Sequence, residues 1–267
     1  MSDLAAAVEA VLGVGVAGVR PLAGGDLSAV QRVTLADGRT IVAKQGARVA
    51  AEARMLGAIR ERGVPAPAVL GVAGEVMLLE RLPGSGGIGS AWDDLARVLG
   101  PLHRGDGGRY GWDEEYAFGP VAILNGWSND WPSFWAERRL RCHLPHLPAA
   151  LAGRVEALAG RIGELLPTRP AAALLHGDLW GGNVLADGAR VSGLIDPACS
   201  YGDREVDVAM LTLFDAPLER FFDALELAPG WRERLPVYRL WPLLVHVRLF
   251  GGGYAGSAAA ALEAVGF

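Results

Sequence analysis

The chain has 267 residues, 51% of them hydrophobic and 21% charged, with a formal net charge of -5 and a pI near 5.6. That length buries one large core or two lobes of unequal size, and no apolar run reaches the roughly 18 to 20 residues that a membrane span needs. An acidic balance without a Lys/Arg cluster excludes a nucleic-acid surface, and two cysteines, Cys142 and Cys199, without C-x-x-C spacing exclude a zinc or disulfide framework and point to a reducing cytoplasm.

The opening "MSDLAAAVEAVLGVGVAGV" carries Asp3 and Glu9 and no basic leader, so it reads as an amphipathic helix followed by a strand rather than a signal peptide. "VQRVTLADGRTIVAKQ" holds two β-rich runs joined by Asp37-Gly38, a hairpin signal. "VAAEARMLGAIRERG" has helical spacing and stops at Gly63, and "AVLGVAGEVMLLERL" reads as a second hairpin turning at Ala73-Gly74. From the Gly/Ser-rich link Pro83–Ser90 onward the pattern is mostly helical, around 91–103, 131–142, 148–165, 203–213, 217–226 and 232–250. Between these helices "ALLHGDL", "NVLAD" and "RVSGLID" are short strands and loops. The expectation is an α+β chain of two lobes: residues 1–82 a small antiparallel N-lobe with one main helix, 83–90 a hinge, and 91–267 a larger helical C-lobe, with a cleft between.

The segment from Leu174 to Glu205 crowds Asp178, Asn183, Asp196, Asp203 and Glu205 together among glycines, and gathered carboxylates call for a cation or a cationic substrate. Asp178 and Asn183 are spaced D-x-x-x-x-N, as in a kinase catalytic loop where the Asp takes the acceptor hydroxyl's proton and the Asn holds magnesium. Asp196, in "LIDP", follows eighteen positions after Asp178, and a hairpin around "ADGAR" returns it as the second metal ligand. Asp-Pro-Ala instead of Asp-Phe-Gly points to small-molecule kinases rather than regulated protein kinases. Lys44 on a strand and Glu52 in the first turn of the next helix suit the ion pair that grips nucleotide phosphates. Gly24 and Gly25 offer backbone amides to the phosphates, with Asp26 beside them, and the adenine would lie against Glu80 to Leu82. His176 is read as bracing the loop backbone, and Asp207 as tying the loop to the following helix.

"GGDLSAVQRV", "VAKQ", "NGWSNDWPSFWAERRL", "HGDLWGGNV", "IDPACSYGDREVDVAML" and "LFGGGY" together resemble the fructosamine kinase (ketosamine-3-kinase) family, within the aminoglycoside-phosphotransferase-like kinases, over roughly residues 20 to 255. The resemblance implies a protein-kinase-like fold, ATP with Mg2+, and phosphorylation of the 3-hydroxyl of a ketoamine, free or protein-bound. Trp180, Asp203, Arg204 and Trp127 are then candidates for the acceptor side, with Asn129 and Trp131 nearby. Kinases of aminoglycosides, choline or homoserine share this fold, and a non-catalytic nucleotide-binding relative is the reading outside enzymes. No nucleic-acid or membrane partner is expected.

Overall fold

A computed structural model describes residues 3–22 and 29–267. These fall into two compact units, one formed by Met1–Pro101 with Gly181–Pro197 and the other by Leu102–Trp180 with Ala198–Phe267.

The first unit begins with helix α1 (Asp3–Leu12), strand β1 (Val16–Pro21), β2 (Ala29–Leu35), β3 (Thr40–Gln45), helix α2 (Val49–Glu61), β4 (Val69–Ala73) and β5 (Val76–Glu80). The strands form one sheet in the order β1-β2-β3-β5-β4, every neighbouring pair antiparallel. Alternation decides which face is covered. Val33, Leu35, Ile41, Ala43, Val76 and Leu78 are buried with Leu4, Ala7 and Val8 of α1, and each large aliphatic side chain so buried contributes about 1.5–3 kcal/mol. Lys44, next to Ala43, therefore points to the opposite face, where α2 presents Glu52. The chain continues through β6 (Ser85–Gly86) into α3 (Trp92–Leu102).

In the second unit, β7 (Tyr116–Phe118) and β8 (Val121–Ile123) form a hairpin that the sequence reading did not anticipate. Three-residue strands are too short for alternation to register. Helix α4 (Trp131–Trp135) starts on Asp130, whose carboxylate accepts from the Ser133 amide at 2.7 Å, with Pro132 in the first turn. The single helix expected over 131–142 is instead broken into α4, a π-helical turn Ala136–Leu140 and a 3-10 turn Arg141–His146. The break accompanies the inward placement of Arg139. Its guanidinium is buried 4.7 Å from the Phe134 and Trp241 rings and donates to the Leu124 carbonyl and Asn125 Oδ1. Burial lowers its pKa to about 10. The segment expected as one helix over 148–165 divides into α5 (Ala149–Gly160) and α6 (Ile162–Leu165), and β9 (Ala173–Leu175) follows.

The chain then returns to the first unit as the hairpin of β10 (Val184–Asp187) and β11 (Arg190–Leu194), with Asp187 opposite Arg190. β10 also pairs with β6, Ser192 Oγ donates to the Pro83 carbonyl at 2.7 Å, and Ser90 Oγ to the Gly188 carbonyl at 3.2 Å, so the Pro83–Ser90 stretch is fastened along the hairpin.

Back in the second unit, β12 (Ser200–Gly202) pairs antiparallel with β9, and α7 (Glu205–Phe214), α8 (Glu219–Leu225), α9 (Trp231–Phe250) and α10 (Ala255–Glu263) complete it. α9 buries Leu235, Tyr238, Trp241 and Leu244 and packs on α7 and α10. No helix among the described residues is long and apolar enough to cross a membrane.

Candidate active site

In the first unit, β3 carries Lys44 and α2 carries Glu52, both buried. Lys44 Nζ donates to Glu52 Oε1 at 2.8 Å and to Asp196 Oδ1 at 2.8 Å. Burial works to lower the pKa of Lys44, but the two carboxylates outweigh it, and the net shift is upward, so the ammonium is firmly charged. The hairpin supplies Asp196. Val184 pairs with Leu194, the Ile195 amide donates to the Asn183 carbonyl at 3.0 Å, and the Leu194 amide donates to the Pro65 carbonyl at 2.8 Å. Asn183 and Asp196 thus flank the one open end of the hairpin, opposite its "ADGAR" turn.

Asp196 has φ 55, the left-handed region that a non-glycine residue rarely occupies, and Pro197 follows it. Such strain persists only where surrounding contacts over-determine it, and it clusters at functional positions. Asn183 is buried at the end of the short 3-10 turn Gly181–Asn183. Glu80 ends β5 with its carboxylate accepting from the Ala68 amide at 3.2 Å, and Leu82 follows half-buried. Gly24, Gly25 and Asp26 lie outside the described residues.

In the second unit, the loop after β9 presents His176, Gly177, Asp178 and Trp180. Asp207, in the first turn of α7, accepts the His176 amide at 2.8 Å on Oδ2 and the Gly177 amide at 2.9 Å on Oδ1, and His103 Nε2 lies 2.9 Å from Oδ2. The Asp178 amide donates to His176 Nδ1 at 3.3 Å, so Nδ1 carries no proton. His176 braces the loop and Asp207 ties it to α7. Asp178 itself is half-buried and Trp180 is exposed.

The remaining acceptor-side candidates are distributed differently. Asp203 is buried, with Oδ1 accepting the Glu205 amide and Oδ2 accepting the Tyr238 hydroxyl at 2.7 Å, while that hydroxyl accepts from Trp131 Nε1 at 3.0 Å. Burial is the main cause that raises the Asp203 pKa. Asp203 is thereby a supporting residue rather than a surface acid, and Trp131, 1% exposed, is core. Arg204 donates to the Glu226 carbonyl. Trp127 donates from Nε1 to Asp113 at 3.0 Å, with the Arg109 guanidinium 4.6 Å from its ring. His103 was missed as a support of Asp207, and Tyr238 as a support of Asp203. Each meets its partner across 104 and 35 residues of sequence, a separation that leaves no local signal.

Which group could the first unit hold? Asn183 and Asp196 offer hard oxygen donors, and one oxygen of Asp196 is already engaged by Lys44. Among the described residues no group of three or more His, Cys, Asp or Glu could hold a metal. Magnesium is commonly held by one or two protein oxygens and keeps water and phosphate oxygens for the rest, so two oxygen donors of this kind suffice for it.

Residues 4–265 match the family model described as fructosamine kinase. A Thermus thermophilus protein assigned as a ketoamine kinase is 39% identical over 254 residues, covering 91% of this chain and 92% of the relative. The crystal structure of a Thermobifida fusca protein assigned as a fructosamine-3-kinase superposes with a TM-score of 0.90 at 31% identity, covering 99% of each chain. An aminoglycoside phosphotransferase, solved with AMP-PNP and hygromycin B, superposes with a TM-score of 0.72 at 19% identity over 100% of this chain and 99% of that one, which establishes the α+β kinase-like fold.

Proposed function

The chain belongs to the fructosamine kinase family, and on that premise we propose that it moves the γ-phosphoryl group of ATP to the 3-hydroxyl of a ketoamine such as a fructosamine or ribulosamine. It is a phosphotransferase with an alcohol acceptor. The observation that carries the nucleotide half of the reading is the buried contact of Lys44 with Glu52 and Asp196. A buried ammonium held by two carboxylates has a fixed position, and that suits it to hold phosphate oxygens.

In this reading Lys44 holds the phosphates, the stretch Glu80–Leu82 receives the adenine, and Gly24 and Gly25 supply amides. Asn183 and Asp196 would hold Mg2+, and when bound it neutralises charge on the transferring group. Asp178 accepts the proton of the acceptor hydroxyl as the new O–P bond forms and the bond to the ADP oxygen breaks. Asp207 and His176 fix the loop so that this carboxylate need not reorganise. Trp180 is the platform for the acceptor, with Trp127 and Arg204 on the same unit. ATP supply and the free thiols Cys142 and Cys199 suit action in the cytoplasm. Acting on glycated amines, free or protein-bound, the reaction would be a deglycation repair.

The test is ADP release with fructosyl-lysine, ribulosyl-lysine, an aminoglycoside, choline and homoserine, with products identified by mass spectrometry. Ketoamines are expected to be phosphorylated on O3, and Asp178→Asn to lower kcat by about 10²- to 10⁴-fold. Turnover of choline or an aminoglycoside alone would place the chain with the small-alcohol kinases. ADP release with none of them would leave a nucleotide-binding protein.

A further inference from the structure

The second unit carries a run of aromatic rings that the nucleotide chemistry does not use. Trp180 meets Phe214 edge-on at 5.9 Å, Phe214 meets His246 at 5.3 Å, and His246 meets Phe250 at 5.5 Å and Tyr254 at 4.8 Å. Phe214 ends α7, His246 and Phe250 lie one turn apart on one side of the end of α9, and Tyr254, in the 3-10 turn Gly252–Tyr254 beyond it, meets both rings. Single exposed aromatics are ordinary, but here Trp180, Phe214 and Phe250 are 39%, 43% and 52% exposed and linked through a half-buried ring.

The run begins two residues after Asp178, at most about 7 Å of extended chain. In a ketoamine the amine sits on C1 and the hydroxyl to be phosphorylated on C3, so the nitrogen and its substituent lie within a few bonds of the reacting oxygen. That nitrogen is a protonated amine, and aromatic faces attract cations. His246 does not oppose it. Its Nδ1 donates to the Pro242 carbonyl at 2.7 Å, and burial lowers its pKa, so the ring is neutral.

Building on the ketoamine kinase reading, we propose that Trp180, Phe214, His246, Phe250 and Tyr254 form a shelf for the amine-bearing part of the acceptor. The shelf favours ketoamines whose amine carries an aromatic or long apolar group.

The test compares kcat/KM for fructosylbenzylamine and fructosylglycine in the wild type, Phe214→Ala and Phe250→Ala. The wild type is expected to prefer the benzylamine adduct by about tenfold, the size of one or two aromatic contacts, and each alanine variant to cut that preference at least threefold, roughly. Phe214→Leu and Phe250→Leu, which keep apolar area without the ring, should fall between, and thermal melts of all four confirm that they fold. A preference unchanged in every variant, or no preference in the wild type, overturns the shelf while leaving ketoamine phosphorylation intact. Phosphorylation of neither ketoamine brings down the underlying reading and the shelf with it.

Discussion

Asp207 is fully buried, yet its carboxyl is held below the usual carboxylate range. Burial acts to raise it, and the hydrogen bond and charge of His103 together with the Gly177 amide outweigh that effect. Cys199 is the other titratable neighbour, its thiol pushed well up by burial and then by the charge of Asp207. A depressed native pKa means that the fold prefers the ionised form. The stability it contributes is complete above the unfolded value, near 3.9, and is lost as pH falls through the lower native value. Asp207→Asn keeps one acceptor and turns an NH2 group toward the backbone amide of either Gly177 or His176, so it should cost about 3–5 kcal/mol at pH 7. Urea melts from pH 7 down to pH 3 would check this: the gap between wild type and variant is expected to narrow below about pH 4, and a gap of constant size would contradict the ionised assignment. The same residues mark what a sequence can disclose. Asp178 and Asn183 stand out as candidates because their spacing is local, and the anchoring role of Asp207 is legible because acids at a helix start limit its roles. His103, Tyr238 and the inward turn of Asp203 depend on contacts made far along the chain, which no local pattern encodes.

One glycine controls an element. Gly177 has φ +80, and a Cβ there would overlap the Ala198 carbonyl, because β9 and β12 bring the loop against the segment that leads into α7. The Ala198 amide donates to the His176 carbonyl at 2.8 Å, so this approach cannot relax without breaking a backbone bond. Gly177→Ala should therefore cost roughly 2–4 kcal/mol from left-handed strain plus overlap, a fall in Tm of roughly 5–15 °C. Because Asp178 follows directly, kcat measured well below that Tm should drop at least tenfold, roughly. A variant that melts like the wild type, or loses stability without losing turnover, would show that the loop does not depend on this conformation. Elements were legible in proportion to their length and punctuation. The Asp37-Gly38 and Gly188 hairpins announced themselves through turn residues, whereas β7 and β8 are too short to alternate. The segment 131–142 kept helical spacing in sequence, while the π turn in it coincides with the buried Arg139, whose partners lie outside the helix.

At the scale of the molecule, each compact unit is discontinuous in the chain. The hairpin 181–197 leaves the second unit's sequence to complete the first. There β10 pairs with β6, Asp94 accepts the Val191 amide at 2.9 Å, and the Leu194 amide reaches Pro65. Gly84, with φ +87, fits only because it has no Cβ to strike the Ala186 carbonyl, so strap and hairpin are shaped to each other. Lys44 likewise obtains one of its two carboxylates, Asp196, only from this returning segment. A fragment 1–101 would keep a buried lysine with one partner and an unpaired β6, and a fragment 102–267 would carry Val184, Val191 and Leu194, all buried in the whole chain, without the residues they meet in the first unit. Exposing three such aliphatic side chains forfeits roughly 5–9 kcal/mol, comparable to the whole stability of an ordinary domain. Neither fragment should show a cooperative thermal transition by circular dichroism, and removing 181–197 from fragment 102–267 should reduce its aggregation. A fragment 102–267 that melts sharply near the Tm of the full chain would mean that the returning hairpin is an accessory, and that the two units do not share one folding reaction through it.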